Sequence, residues 1–118
     1  MKELMSQQRL DAENVAYLGT GGRSQENTDT GFRPAFFDYA SQKLYLSRFP
    51  DGRLAPLHLL DGLPEEVVVD RASNGRVLRA RASLVAGFER SGYFYTRKAA
   101  ARAAAAMRSR RSTLKKAV

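Results

Sequence analysis

The stretch "VVVDRASNGRVLRARASLVAGFERSGYFYT", residues 67–96, decides the fold, because short apolar runs alternate in it with turn residues. "SNGR" at 73–76 separates two such runs. Asn-Gly at this place is typical of a type I′ hairpin turn, in which both central residues need a positive φ. "RSG" at 90–92 then turns the chain into "YFYT". The stretch therefore predicts consecutive antiparallel strands joined by tight turns.

The middle run, "VLRARASLVAGFE" at 77–89, alternates between apolar and polar residues. This is the period of a strand that is buried on one face. The expected inward positions are Leu78, Ala80, Ala82 and Leu84, and the expected outward ones include Arg79 and Arg81. Because the run is long for one strand, we expect a bend near Ala86-Gly87.

The residues before this stretch also form short apolar runs that are separated by turn residues. The runs "PAFFDYA", "QKLYLSRF" and "LAPLHLL" suit strands, "PDGR" at 50–53 is a turn, and a single helical turn fits 63–66. About five to six short strands in this order predict an α+β protein. We expect a curled antiparallel β-meander or small barrel with a C-terminal α-helix.

Composition divides the chain into three parts. Residues 1–31 are predicted to be an N-terminal segment that ends in a Gly-rich linker, "GTGGRSQENTDTG" at 19–31. Residues 32–96 form the β-rich domain, and residues 97–118 form a basic C-terminal helix or tail. The alanines of "RKAAARAAAAM" favour a helix over 97–108, and Thr96 is placed to cap it.

The charge of the chain is concentrated in this tail. The 118 residues carry a net charge of +8, and eight of the 20 basic residues lie in 97–118, which has no acidic residue. The other twelve basic residues are balanced by the twelve acidic ones of residues 1–96. Such asymmetry indicates a polyanionic partner, either nucleic acid (DNA or RNA) or an acidic protein surface.

On a helix, Ala100, Ala103, Met107, Leu114 and Val118 form a narrow apolar stripe, and most basic residues lie on the other side. Two interpretations remain open. The helix either packs weakly on the domain with hydrated cations, or it contacts phosphates. In the second case the main contacts are Arg97, Lys98, Arg102, Arg108, Arg111 and Lys115.

A second surface is predicted on the sheet. If Phe94 points into the core, its neighbours in the last strand face outwards together with the arginines of the 77–84 run. Aromatic rings and guanidinium groups on a sheet face can stack bases and hold phosphates. The residues concerned are Arg79, Arg81, Tyr93 and Tyr95, which can equally be ordinary cross-strand neighbours.

Catalytic chemistry has little support in the sequence. His58 is the single histidine, and it has no nucleophile and orienting carboxylate singled out beside it, so we interpret it as a half-buried strand residue with a local partner. One histidine and no cysteine argue against a transition-metal site and against disulfides. We therefore predict no catalytic residues, no metal, no cofactor and no enzyme activity.

The predicted location is the cytoplasm. No apolar run approaches the length of a membrane-spanning helix, the first residues lack the apolar core of a signal peptide, and no membrane partner is expected.

The segments "YLSRFPDGRLAPLHLLDGLPEEVVV" and "GFERSGYFYTRKAAA" resemble short uncharacterised accessory proteins of bacterial mobile elements, such as integrative elements and phages. The resemblance covers about residues 32–100, includes no diagnostic motif and transfers no active site. It implies an accessory role, in DNA maintenance or in countering host defence.

Two functional hypotheses follow. In the first, the protein is a non-enzymatic module that binds nucleic acid through phosphate contacts of its basic helix. In the second, it is a protein-binding accessory or inhibitor, which docks on a host protein or nucleoprotein complex through a sheet edge or through Ala100, Met107 and Leu114.

Overall fold

The computed structural model describes residues 4–16 and 31–116, with the backbone alone described for Asn14, Arg108 and residues 110–116. This part of the chain contains seven strands and two helices. The strands are β1 (Met5–Ser6), β2 (Arg33–Asp38), β3 (Lys43–Leu46), β4 (Val68–Arg71), β5 (Val77–Ala80), β6 (Leu84–Arg90) and β7 (Tyr93–Thr96). The helices are α1 (Gln7–Ala16) and α2 (Arg97–Lys116), and a single 3-10 turn, Glu65–Val67, precedes β4.

The strands form two antiparallel sheets, with the orders β1-β5-β4 and β3-β2-β6-β7. The α+β class, the antiparallel pairing and the C-terminal helix are therefore confirmed. The small closed barrel is wrong, and so is a single meander, because β5 and β6 belong to different sheets. The first two strand predictions correspond to β2 and β3, whereas the run 54–60 forms only one isolated bridge, between Arg48 and Leu54.

The separation of the sheets results from a break inside the run 77–89. The backbone N–H of Leu84 donates to the carbonyl of Arg81 at 3.1 Å, which makes a turn at 81–84. The bend predicted near Ala86-Gly87 is therefore misplaced, because β6 continues through these residues in register with β2. The burial pattern changes accordingly. Val77 and Ala80 are buried, whereas Leu78 is 48% exposed. The expected period of two therefore fails in β5, and β6 is buried along most of its length.

The hairpin turn at 72–76 differs from the predicted type. At 72–76 the N–H of Ala72 donates to the carbonyl of Arg76 at 2.8 Å, and Gly75 has a φ of 87°, whereas Asn74 does not have a positive φ. This is a three-residue loop with glycine in the left-handed position. The two-residue turn with a positive φ at both positions lies at Ser91 and Gly92 instead, at 54° and 87°. It keeps Arg90 and Tyr93 directly paired across β6 and β7.

One face of the four-stranded sheet carries both hydrophobic clusters, because side chains at alternate strand positions share a face. At one end, Phe36 and Leu84 pack in a cluster with Met5 and Leu10, which come from β1 and α1. The predicted N-terminal segment thus shares its core with the later strands. The Gly-rich linker predicted at 19–31 lies outside the described residues, except for Gly31.

At the other end of this face, Phe32 and Phe88 form the second cluster with Ala100 of α2. Ala104 is also buried, and Met107 is partly buried against the cluster. Helix α2 begins as predicted, since the N–H of Ala99 donates to Oγ1 of Thr96 at 3.1 Å. The described side chains that pack on the sheet therefore lie in about the first three turns of a helix whose backbone continues to Lys116.

Candidate nucleic-acid interface

Arg97, the first predicted phosphate contact, is buried, with 2% of its surface exposed. Its Nε lies 3.3 Å from Oε1 of Glu13 in α1, and its Nη2 donates to Nδ1 of His58 at 3.2 Å. Burial raises the pKa of Glu13, and the positive charges of Arg97 and Arg9 oppose that rise. This placement corrects the prediction for Arg97, because an enclosed guanidinium cannot reach a phosphate in solution.

His58 is the centre of this buried network. Its Nε2 lies 2.6 Å from the carbonyl oxygen of Gly87, so we assign the ring proton to Nε2, which leaves Nδ1 to accept from Arg97. The rings of Phe36 and Phe88 approach the imidazole edge to face, with centroids 5.4 and 5.3 Å away. Burial, with a smaller effect of the Arg97 charge, lowers the pKa of His58 to about 3.

The structure therefore makes His58 a neutral core residue that links the two clusters. The prediction of a half-buried strand histidine is wrong. His58 lies outside the strands, it is 3% exposed, and its polar partners Gly87 and Arg97 are distant in sequence.

The outer face of α2 presents the next two predicted contacts. Lys98 and Arg102 are exposed, one helical turn apart, on the side opposite Ala100 and Ala104. Among the described residues, neither has an ion-pair partner. Arg108, Arg111 and Lys115 also lie within α2, but their side chains are outside the described part.

The body of the protein neutralises its own charges. Every described carboxylate except that of Asp11 lies within an ion pair, and apart from the Arg97–Glu13 pair none of these involves α2. The pairs within the body are Arg9–Glu13, Arg33–Glu89, Lys43–Glu66, Arg53–Asp51, Arg71–Glu65, Arg76–Asp61, Arg79–Asp70 and Arg81–Asp38. Each exposed pair adds little stability, but together they leave the described body with few uncompensated charges.

The second predicted surface is not assembled as a unit. Arg79 stands on β5 of the three-stranded sheet and pairs with Asp70 at 2.7 Å. The two tyrosines stand on β7 of the other sheet. Tyr95 packs edge-on against Phe32, with ring centroids 4.9 Å apart, and Phe94 stacks on Phe37 at 5.4 Å. Only Tyr93 of the two tyrosines is strongly exposed, at 71%.

Arg81, the other arginine of that surface, serves a buried carboxylate. Its Nη1 donates to Oδ2 of Asp38 at 3.1 Å, and the hydroxyls of Ser83 and Ser41 donate to the same side chain at 2.5 and 2.7 Å. Burial alone would raise the pKa of Asp38, but these bonds, with one from the N–H of Ala40, lower it to about 2. Arg81 thus fixes the turn between the two sheets.

Arg90 is a candidate that the sequence prediction missed. Its guanidinium carbon lies 5.4 Å from the centroid of Phe32, and its Nη1 donates to Sδ of Met107 at 3.8 Å. Among the described residues it has no carboxylate partner. Counting in steps of two from Phe88 along β6 would have placed Arg90 on the face that α2 covers.

The apolar stripe of the second hypothesis is largely occupied. Ala100 is buried and Met107 is half-buried against Phe32 and Phe88, so both contribute to the protein's own core. Leu114 lies in the part of α2 whose side chains are not described.

Comparisons with protein-family models, with curated proteins and with solved structures found no match to this chain. Neither α1 nor the described part of α2 combines the length and the apolar character that a membrane-spanning helix needs. Within residues 4–16 and 31–116, no group of three or more histidine, aspartate or glutamate side chains is arranged to hold a metal ion.

Proposed function

We propose that the protein is a non-enzymatic nucleic-acid-binding module that contacts phosphates through α2. The observation that supports this most is the distribution of ion pairs. The body's described carboxylates are matched by the body's own cations, apart from Asp11, whereas Lys98 and Arg102 are exposed and have no ion-pair partner among the described residues.

The spacing of the α2 cations suits a polyanion. Lys98 and Arg102 stand about 6 Å apart along the helix axis, and the sequence of α2 holds three further predicted contacts, Arg108, Arg111 and Lys115. Exposed cations such as Lys98 and Arg102 attract the phosphates of a nucleic acid and displace its condensed counterions. Such contacts carry no base specificity, so we expect little sequence preference.

The buried network supports this role by fixing the orientation of the helix. Glu13 and His58 hold Arg97 from inside the protein, and Ala100 and Ala104 seat the next turn on the sheet. Because side chains on opposite faces of a helix are fixed relative to each other, this anchoring directs Lys98 and Arg102 to solvent. The cationic face is therefore held in place before any partner arrives, which lowers the entropic cost of binding.

Docking on an acidic protein surface is the alternative. It has less support, because Ala100 and Met107 are used within the protein's own core. The cations of α2 would bind a nucleic acid or an acidic protein surface. The experiment therefore uses nucleic acids as the ligands, which separates the two proposals.

The test compares two double variants of equal net charge. Lys98→Gln with Arg102→Gln removes two charges from α2, and Arg48→Gln with Arg53→Gln removes two exposed charges from the loop around 50–53. Fluorescence anisotropy would follow binding to a labelled single strand of about 20 nucleotides, which exceeds a typical single-strand site, and to the matching duplex.

We expect the α2 variant to bind about tenfold more weakly at low salt and the loop variant to bind as the wild type does. Equal weakening in both variants would attribute binding to net charge alone and would contradict the role of α2. Undetectable binding of both nucleic acids by the wild type would reject the proposal.

A further inference from the structure

The edge of the sheet beside α2 carries an arginine and a tyrosine in direct cross-strand register. Arg90 of β6 pairs with Tyr93 of β7, next to the pair formed by Phe88 and Tyr95. Because alternate residues of a strand point to the same face, Arg90 shares the face of Phe88, and Tyr93 shares that of Tyr95. Phe88 and Tyr95 both pack in the cluster beneath α2. Arg90 and Tyr93 therefore belong to the same face as that helix.

The two pairs differ in what covers them. Tyr95 is half-buried against Phe32, whereas Tyr93 is 71% exposed. Arg90 is held between the ring of Phe32 and the sulfur of Met107, and Met107 is the last described α2 residue that packs on the cluster. An open aromatic ring and a positioned guanidinium thus lie together where the packed part of α2 ends.

We propose that Arg90 and Tyr93 form a stacking site that makes the protein favour single-stranded over double-stranded nucleic acid. The inference rests on the proposed function, since α2 supplies most of the phosphate contacts. An exposed tyrosine can stack on a base whose face is free, and single strands offer such bases, whereas a duplex covers them with neighbouring pairs. Arg90 then faces the phosphate beside the stacked base.

The tight turn between β6 and β7 makes this arrangement specific. Ser91 and Gly92 form a two-residue turn, so the register of Arg90 and Tyr93 is fixed by the hairpin itself. The pair is therefore preformed, and a ligand does not have to order a loop to use it.

Tyr93→Trp provides a direct readout, because the chain contains no tryptophan. Fluorescence of the introduced side chain would be recorded while adding a thymidine oligomer of about 20 nucleotides, a duplex of the same length, or heparin as a polyanion without bases. We expect strong quenching by the single strand and little change with the duplex or with heparin.

Affinity supplies the second readout. Tyr93→Ala should weaken single-strand binding by about tenfold and leave duplex binding within about twofold of the wild type. Tyr39→Ala is the matched control, since Tyr39 is a tyrosine of the β2–β3 turn that is 51% exposed. It should change neither affinity.

The two proposals fail in different ways. Single-strand binding that persists without quenching, or equal losses for both nucleic acids in Tyr93→Ala, would overturn the stacking site and leave the role of α2 intact. If no nucleic acid binds at all, the proposed function itself is rejected.

Discussion

Arg97 joins three parts of the chain that are far apart in sequence, since it contacts Glu13 of α1 and His58 of the loop before β4 from the first turn of α2. Removing one member of a buried charged network leaves the other polar groups without compensation, and the cost of that loss exceeds the net value of the original contact. The residue that begins the cationic helix is thus needed for the fold.

Arg97→Ala should therefore lower the free energy of unfolding by about 3 kcal/mol, measured by urea denaturation. The matched control is Arg102→Ala in the same helix, which should change stability by less than about 0.5 kcal/mol because Arg102 is exposed. Similar losses in the two variants would contradict the buried network.

His58 gives the protein a defined response to acid. Its pKa is lowered from 6.5 to about 3 in the folded protein, first by burial and then by the charge of Arg97. Between these values the unfolded chain binds a proton that the folded protein does not bind. Stability should therefore be complete above pH 6.5 and should fall as the pH decreases, with a slope approaching about 1.4 kcal/mol per pH unit.

Urea denaturation at several pH values below 6.5 would check this slope, and His58→Gln should remove it. Glu13 has the opposite effect on the pH dependence of stability. Burial raises its pKa, so as the pH falls the folded protein takes up a proton at a higher pH than the unfolded chain does, and this uptake stabilises the folded protein. Nuclear magnetic resonance offers an independent check on the single histidine. A ring that titrates near its ordinary pKa in the folded protein would contradict its burial.

At the scale of single elements, the sequence predicted the hairpins better than their turn types. Asn-Gly at 74–75 marks a hairpin correctly, but the three-residue loop leaves only Gly75 with a positive φ. The turn with two positive φ values lies at Ser91 and Gly92. Ser-Gly predicts such a turn less strongly than Asn-Gly does. Propensity does not fix a turn type, because the register demanded by the flanking strands also selects the loop length.

The break between β5 and β6 could not be predicted from alternation alone. The pattern of 77–89 predicts a strand with a bend near Ala86-Gly87. The chain breaks earlier, because Arg81 and Ser83 bind the buried carboxylate of Asp38, which lies far away in sequence. Non-local polar contacts of this kind override a local period. The same reason explains why Arg97 was predicted to be a surface residue.

Helix α2 should tolerate shortening only beyond its packed turns. A chain ending at Ser109 should still unfold cooperatively, because the described packing ends at Met107. A chain ending at Thr96 would lose Arg97, Ala100 and Ala104 and would expose Phe32 and Phe88, so we expect no cooperative transition. Near-ultraviolet circular dichroism during heating would distinguish them. Cooperative unfolding of the shorter chain would contradict the placement of the helix.

For the whole molecule, composition predicted the central electrostatic feature, namely a neutral body with a cationic C-terminal segment. The structure adds how this balance is achieved, since most of the body's described charges are paired locally. It also divides the cations of the tail into a structural one, Arg97, and exposed ones such as Lys98 and Arg102. Composition cannot make that division, because burial depends on α1 and His58.

The salt dependence of duplex binding tests the role of α2 most directly. If about four of its cations contact phosphates, a plot of log K against log salt between about 50 and 200 mM should have a slope near −3.6. Lys98→Gln with Arg102→Gln should reduce the slope to about −1.8, and Arg48→Gln with Arg53→Gln should leave it unchanged. A slope near zero for the wild type, or one that the α2 substitutions do not alter, would contradict phosphate binding by this helix.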